Sequence, residues 1–297
     1  MSPGRVRASS ESSRRDPDRH LGRAIAGDAE FSFGAADFER VRSLIHRKAG
    51  ISLNSGKQAM VYSRLSRRLR EIGQSSVRDY LDGLEAMRGA AADAEWQEFV
   101  NCLTTNLTAF FREDHHFALL AAELFARARQ PLRIWCNAAS TGEEPYSIAM
   151  TVIEALGPTA DVRIVCSDVD THVLATAERG VYEAGAKGLD LTRLRRHFLR
   201  GSGANAGSIM VKPELRRLVE FRACNLMDPK LSLGAPFDFI FCRNVMIYFD
   251  AATQRAVLER MHRATRPGAL LFAGHSENFN DSRDLFQLRA KTVYERA

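Results

Sequence analysis

The sequence predicts a small all-helical domain followed by an α/β domain built on a parallel sheet with helices on both faces. The length of 297 residues favours two domains, at ~100–200 residues each. From about residue 131, short apolar runs alternate with amphipathic helical stretches, a pattern typical of a covered parallel sheet. Residues 31–105 instead show helical spacing and no strand pattern.

The helical part is predicted to hold four helices. Phe38, Val41, Leu44 and Ile45 share one face of the first helix, which ends at Gly50. The other three predicted helices span about 58–72, 79–87 and 94–103. The preceding residues 1–30 are rich in Ser and Arg and poor in large apolar side chains, so we expect a disordered tail there.

The net charge of +6 raises nucleic acid as a partner. However, the excess is local, because residues 40–70 hold nine Lys or Arg and no acid. Four of these arginines lie outside the apolar stripe of the predicted second helix: Arg64, Arg67, Arg68 and Arg70. This patch is either a docking face for an acidic substrate or a solvated helix face.

The α/β part begins with a buried strand and continues to the end of the chain. The predicted strands of the main sheet are 132–136, 162–166, 218–224, 237–242 and 269–274, followed by a closing antiparallel pair within 286–297. The predicted helices lie near 143–156, 170–179 and 251–265. Residues 190–217 interrupt the alternation with three closely spaced glycines, which indicates a small antiparallel insert between the second and third strands.

The turn after the first strand, NAASTGEEPYS at 137–147, is the first candidate site. A strand, a turn of small residues and a helix form the nucleotide-binding unit of doubly wound folds. Glu143 and Glu144 would repel a phosphate at the helix start, which favours the positively charged S-adenosylmethionine over NAD or ATP. An ordinary helix start is the alternative, because the helix dipole also favours acids there.

Two further strand ends carry polar residues. Asp168 ends the second strand, where a carboxylate can accept both ribose hydroxyls of a nucleoside, and Asp170 is expected to cap the next helix. Arg243 and Asn244 end the fourth strand, and Tyr248 follows within reach. Core packing explains their apolar neighbours but not the Arg-Asn pair.

The five cysteines fit no zinc spacing and are expected to be reduced and mostly buried. We predict no metal site. No secretory signal or membrane-spanning segment is recognised, so we expect a cytoplasmic protein without membrane insertion.

Five motifs together resemble the bacterial chemotaxis receptor methyltransferases (CheR), and the resemblance covers about 31–297. The motifs are LTTNLTAFFRE, NAASTGEEPYSIAM, CSDVD, PFDFIFCRNVMIYFD and LLFAGHSENF. It implies a tail at 1–30, a helical domain at 31–105 and a Rossmann-like class I methyltransferase domain at 106–297, with the β-subdomain insert at 190–217. It also implies methyl transfer from S-adenosylmethionine to glutamates of transmembrane chemoreceptors, with S-adenosylhomocysteine as the product.

The resemblance also implies roles for individual residues. Arg112 and Tyr248 would act at the reacting centre, where Arg112 would hold the incoming carboxylate and Tyr248 would orient it. Glu143 would meet the amine of the methionine moiety, Asp168 the ribose, and Asn225 and Leu226 the adenine. The implied cofactor contacts are Asn106, Thr108, Arg112, Glu143, Asp168, Asn225, Leu226, Arg243 and Asn244.

The partners implied are the receptor's cytoplasmic domain and, through the β-subdomain, its C-terminal peptide. We expect the protein to be a monomer.

A glutamate is already an anion at neutral pH, so no general base is required for methyl transfer. A nucleic-acid methyltransferase is one alternative, but its Asn/Asp-Pro-Pro motif is missing. A catalytically inactive module that only binds the cofactor is another alternative. Loss of the cofactor-binding residues would favour it, and turnover in a methylation assay would exclude it.

Overall fold

A computed structural model describes residues 30–127, 130–234 and 236–297 of the protein. The predicted tail lies outside the described residues except for Glu30. Within the described residues, no helix is long and apolar enough to cross a membrane.

Four helices form the N-terminal part and share one apolar core. They are α1 (Ala35–Ala49), α2 (Gln58–Ile72), α3 (Val77–Ala86) and α4 (Ala90–Leu103). α1 and α2 end at Gly50 and Gly73, with φ of 72° and 69°. A side chain rarely adopts this left-handed conformation, so the two glycines fix where the helices stop.

The remainder of the chain alternates strands and helices around a seven-stranded sheet. In chain order the elements are α5 (His115–Arg127), β1 (Leu132–Cys136), α6 (Glu143–Leu156), β2 (Val162–Asp168), α7 (Thr171–Arg179), β3 (Val181–Glu183), α8 (Leu191–His197), β4 (Phe198–Arg200), β5 (Ser208–Val211), α9 (Pro213–Arg216), β6 (Val219–Ala223), β7 (Phe237–Cys242), α10 (Ala251–Arg263), β8 (Thr265–Ala273), β9 (Phe286–Ala290) and β10 (Val293–Arg296).

The main sheet has the order β6-β2-β1-β7-β8-β10-β9. Its first five strands are parallel, and β10 runs antiparallel between β8 and β9. Alternate side chains of the central strands enter separate cores on the two faces: Ile134 packs in one and Trp135 in the other. The predicted fold class is confirmed.

The insert begins earlier than predicted. β3, β4 and β5 form a separate antiparallel sheet with β5 in the middle, and β3 at Val181–Glu183 lies before the predicted range of 190–217. A strand of three residues is too short to show an alternation of apolar and polar side chains in the sequence, so β3 is identified as a strand only by its pairing with β5. Similarly, α5 was not predicted. The strand β8 starts at Thr265 and not at the predicted residue 269, because its first residues are not an apolar run and give no strand pattern in the sequence.

The helical part contacts the sheet at its carboxyl edge. The Asn225 side chain donates to the Lys48 carbonyl at 2.6 Å, and the Ser52 amide donates to the Tyr248 carbonyl at 2.7 Å. A side chain at Gly50 would place its Cβ 2.8 Å from the Met227 sulfur. Consequently the chain just after α1 packs against two loops that follow sheet strands.

Candidate active site

A cleft of about 380 Å³ opens at the carboxyl ends of β1, β2, β6 and β7, with α2 and the α4–α5 segment as its other wall. Ligands of open α/β sheets bind at this edge, because the loops that leave neighbouring strands diverge there. Ten of the predicted site residues line the cleft: Arg64, Asn106, Thr108, Arg112, Asp168, Asn225, Leu226, Arg243, Asn244 and Tyr248. Glu143 is not among them.

The turn between β1 and α6 is tightly built. Ser140 and Gly142 both have positive φ, at 48° and 100°. A Cβ at Gly142 would lie 2.5 Å from the Tyr182 hydroxyl and 2.9 Å from Ala177. The backbone therefore passes close to α7 and the small sheet, and a larger residue at position 142 is excluded.

Asp168 lies at the end of β2 with 9% of its surface exposed. Its carboxylate accepts the Ser140 amide at 2.8 Å and the Asp170 amide at 3.0 Å. Burial raises its pKa to about 6, although these backbone hydrogen bonds oppose the shift. Each carboxylate oxygen keeps a further lone pair for a ligand hydroxyl.

The predicted helix cap at Asp170 is confirmed. One carboxylate oxygen accepts the amides of His172 and Val173 at the start of α7. The other accepts from Thr104 at 2.5 Å and from Asn106 at 2.8 Å. Thus Asp170 also holds the segment that leads from α4 into the cleft, and the Asn106 side-chain amide is used for this purpose.

Arg243 is buried and lies between two carboxylates. Its guanidinium contacts Glu144 at 2.6 Å and Glu113 at 3.4 Å, and its side chain is 1% exposed. It also donates to the Arg112 backbone carbonyl. These contacts tie the end of β7 to the start of α6 and to the segment that carries Arg112.

The two adjacent glutamates at the start of α6 differ in position. Glu144 lines the cleft, and burial raises its pKa despite the Arg243 guanidinium. Glu143 accepts a hydrogen bond from the Thr141 hydroxyl at 2.6 Å. Of the two adjacent glutamates, therefore, Glu144 is the one that lines the cleft, and it is already paired with Arg243.

The loop after β7 depends on Glu277, which the sequence reasoning missed. The Glu277 carboxylate is 5% exposed. It accepts four backbone amides: those of Asn244 at 3.0 Å, Val245 at 2.9 Å, Met246 at 2.8 Å and Gly274 at 2.6 Å. A Cβ at Gly274 would lie 2.6 Å from the Asn244 side chain, so this packing requires glycine.

Tyr248 and Arg112 both line the cleft and have few competing contacts. The Tyr248 hydroxyl has no hydrogen-bond partner within the described ranges. The Arg112 guanidinium donates to the Leu107 carbonyl at 3.1 Å and forms no ion pair with a described carboxylate. Both groups are available to a ligand.

The four arginines of α2 do not form one face, which corrects the predicted docking surface. Arg64 donates to the carbonyls of Leu103 at 2.7 Å and Thr104 at 2.5 Å. Arg68 is 16% exposed and pairs with Glu95 at 2.5 Å. Positions four apart share one helix side, so both turn inward. Arg67 and Arg70 point outward, at 68% and 56% exposure.

Family models match nearly all of the chain that the structure describes. The CheR methyltransferase all-alpha domain matches residues 36–104, and the CheR methyltransferase SAM-binding domain matches residues 106–295. The chain belongs to the CheR family. It is similar to chemotaxis protein methyltransferase 2 of Pseudomonas aeruginosa, with 51% identity over 274 residues that cover 91% of this chain and 96% of the relative.

Two enterobacterial members of the CheR family are similar to nearly the same extent. The chemotaxis protein methyltransferase of Salmonella typhimurium is 49% identical over 261 residues, covering 87% of this chain and 89% of its own. That of Escherichia coli is 49% identical over 262 residues, covering 87% and 90%.

The cleft fits the S-adenosylmethionine that a CheR domain implies. Asn137 lines it, is 3% exposed, and its side-chain oxygen has no hydrogen-bond partner in the described part of the chain. A buried acceptor of this kind suits an amine donor, since an unpaired one is costly. Neither Asn137 nor Glu277 was selected from the sequence. Both residues belong to motifs that carry the family resemblance, Asn137 to NAASTGEEPYSIAM and Glu277 to LLFAGHSENF, and these motifs were the signal that could have identified them.

Proposed function

We propose that this protein transfers the methyl group of S-adenosylmethionine to glutamate side chains of chemoreceptors, giving glutamate methyl esters and S-adenosylhomocysteine. The observation that carries the proposal is that one cleft is lined by the buried Asp168 carboxylate and by Arg112 and Tyr248. Among the described residues, Arg112 has no carboxylate partner and the Tyr248 hydroxyl has no hydrogen bond. The names of the similar proteins support the chemoreceptor as substrate.

The nucleoside end of the cofactor would bind at Asp168. Its two oxygens are fixed by backbone amides, and Val169 and Leu226, which line the same cleft, would enclose the adenine. Asn225 stabilises this loop by bonding to the Met227 amide and to the helical part, while Thr108 would contribute to the opposite wall.

At the methionine end, Asn137 would accept from the amine and Asn244 would lie beside it. Arg243 would position this region, because its charge is already shared between Glu144 and Glu113. The implied contact of Glu143 with the amine remains a prediction. Its carboxylate would have to leave Thr141 in order to reach the cleft.

S-adenosylmethionine supplies, when bound, a methyl carbon activated by a sulfonium. Arg112 would hold the incoming glutamate carboxylate, and Tyr248 would donate a hydrogen bond that orients the attacking oxygen. Alignment of oxygen, carbon and sulfur would provide most of the rate, and oriented models allow up to ~7–11 kcal/mol. Both contacts must stay weak, because the carboxylate loses its charge as the ester forms.

The small sheet is the proposed docking site for a receptor C-terminal peptide. Val181, Met210 and Leu199 are aligned across its three strands and are 44%, 39% and 44% exposed. β3 and β4 are edge strands, and an extended peptide can pair with either.

On the helical part, Arg67 and Arg70 would attract the acidic receptor surface. We also propose a cytoplasmic monomer with domains at 31–105 and 106–297.

Labelled methyl transfer tests the function. Wild-type protein should label receptor-containing membranes and leave RNA and DNA unlabelled. The label should be released by mild base, because it is an ester. Arg112→Ala and Tyr248→Phe should lower kcat while calorimetry finds nearly unchanged S-adenosylhomocysteine affinity, whereas Asp168→Ala should weaken that affinity. Equal loss of affinity in all three variants would contradict the assigned roles.

A further inference from the structure

The outer rim of the cleft exposes apolar side chains. Leu107 is 82% exposed and Ile247 is 50% exposed, and both line the cleft. Leu107 is the most exposed large apolar residue in the described parts of the chain. Exposed leucine and isoleucine side chains gain favourable free energy when a partner covers them.

Both rim residues lie beside the groups proposed to handle the acceptor. The Leu107 carbonyl accepts a hydrogen bond from the Arg112 guanidinium at 3.1 Å. Ile247 directly precedes Tyr248 in the short helical turn after β7. A side chain that reaches Arg112 and Tyr248 from solvent therefore passes this rim.

The charge of the cleft selects the kind of partner. Of its two acids, Asp168 is buried and accepts backbone amides, and Glu144 is 12% exposed and paired with Arg243. Lys57 is exposed on the same cleft and has no carboxylate partner within residues 30–127, 130–234 and 236–297. The accessible charges around the opening are therefore basic, which is complementary to an acidic partner.

We propose that Leu107, Ile247 and Lys57 form an acceptor seat for the receptor segment that carries the glutamate. Apolar side chains beside that glutamate would cover Leu107 and Ile247. Neighbouring acids would face Lys57, and the accepting carboxylate would enter between them. This inference rests on the proposed function and adds to it the residues that select the acceptor segment.

Steady-state methylation of receptor-containing membranes by the full-length protein tests the seat. Leu107→Asp should raise the KM for receptor about tenfold, since it removes apolar contact and adds a charge that repels an acidic segment. Lys57→Glu should raise it severalfold, and the increase should shrink at high salt. The kcat at saturating receptor and the Kd for S-adenosylhomocysteine should match the wild type.

Leu288→Asp is the matched control, because Leu288 is 60% exposed on β9 and does not line the cleft. A KM for Leu107→Asp equal to that of the control would overturn the seat. So would a weakened S-adenosylhomocysteine affinity, since the rim would then belong to the cofactor site. If wild-type protein binds S-adenosylhomocysteine but labels no receptor, the proposed function fails and the seat fails with it.

Discussion

Replacing Arg243 with methionine tests whether this residue is held in place by charge or merely fills space. Methionine approximates the length of the side chain but removes the guanidinium that lies 2.6 Å from Glu144 and 3.4 Å from Glu113. The Arg243 side chain is 1% exposed and that of Glu144 is 12% exposed, so little water can replace the lost charge. The variant removes the cation beside the Glu144 carboxylate and leaves the Cys136 thiol, 3.3 Å away, as its remaining partner in the described residues.

Removing one member of a buried ion pair costs about 3–5 kcal/mol, and we expect a loss in this range for Arg243→Met at pH 8. The loss should shrink toward pH 5. Burial already raises the pKa of Glu144, and without Arg243 the pKa rises further. An acid whose folded-state pKa is raised favours the folded state at low pH, and this contribution disappears as the pH rises through that pKa.

Urea unfolding at both pH values, followed by Trp fluorescence, measures the loss. The double variant Arg243→Met with Glu144→Gln should recover most of it, because a neutral amide does not need the cation. Arg255→Met should leave the urea midpoint close to that of the wild type, since Arg255 forms its ion pairs at the surface. A loss below about 1 kcal/mol, or no recovery in the double variant, would refute the reasoning.

Three further predictions concern the same cleft. If Asp168 must be ionised to bind ribose, its pKa of about 6 predicts that the affinity for S-adenosylhomocysteine falls about tenfold between pH 7 and pH 5. Calorimetry should find that Asp168→Asn binds more weakly and with an affinity that is nearly independent of pH. A pH dependence of the affinity equal to that of the wild type would exclude this role. Glu277→Gln leaves one oxygen for four backbone amides. The free energy of unfolding should therefore fall by about 2 kcal/mol or more, and kcat should fall with it. Glu259→Gln is the control and should change neither, because the Glu259 side chain is 42% exposed. Arg67→Glu should raise the receptor KM severalfold at low salt and leave the urea midpoint unchanged. Arg68→Glu should instead destabilise the helical part, because it places a third acid beside Glu71 and Glu95. Equal urea midpoints for the two variants would contradict the assignment of Arg67 to the surface and of Arg68 to the fold.

Much of the fold could be read from local patterns. The predicted limits of α2, β1, α6 and β7 agree with the structure, because long apolar runs, small-residue turns and terminal glycines act within a few residues of one another. β3 and α5 could not be predicted from the sequence pattern. β3 is recognised by its pairing with β5, and α5 begins directly after a segment whose Phe111 and Glu113 have positive φ.

The site was predicted in outline. Each residue at the carboxyl end of a parallel strand could be assigned to one edge, so Asp168, Arg243 and Asn244 were expected together, and all three line the cleft. The sequence could not decide which of two adjacent glutamates faces that cleft. A helix turns about 100° per residue, so one of the pair is directed inward only after α6 has packed on the sheet.

The sequence by itself determined the fold class, the strand ends that carry polar residues and, through five motifs, the family. These depend on residue order and spacing, which the chain carries before it folds. The tertiary structure decided which charged groups already have partners. Arg64, Arg68 and Arg243 are held by hydrogen bonds or ion pairs. In the described residues, Lys57 and Arg112 line the cleft without a carboxylate partner, and the Tyr248 hydroxyl lines it without a hydrogen bond. Pairing depends on distance and burial, and residues far apart in the chain become neighbours only in the folded protein.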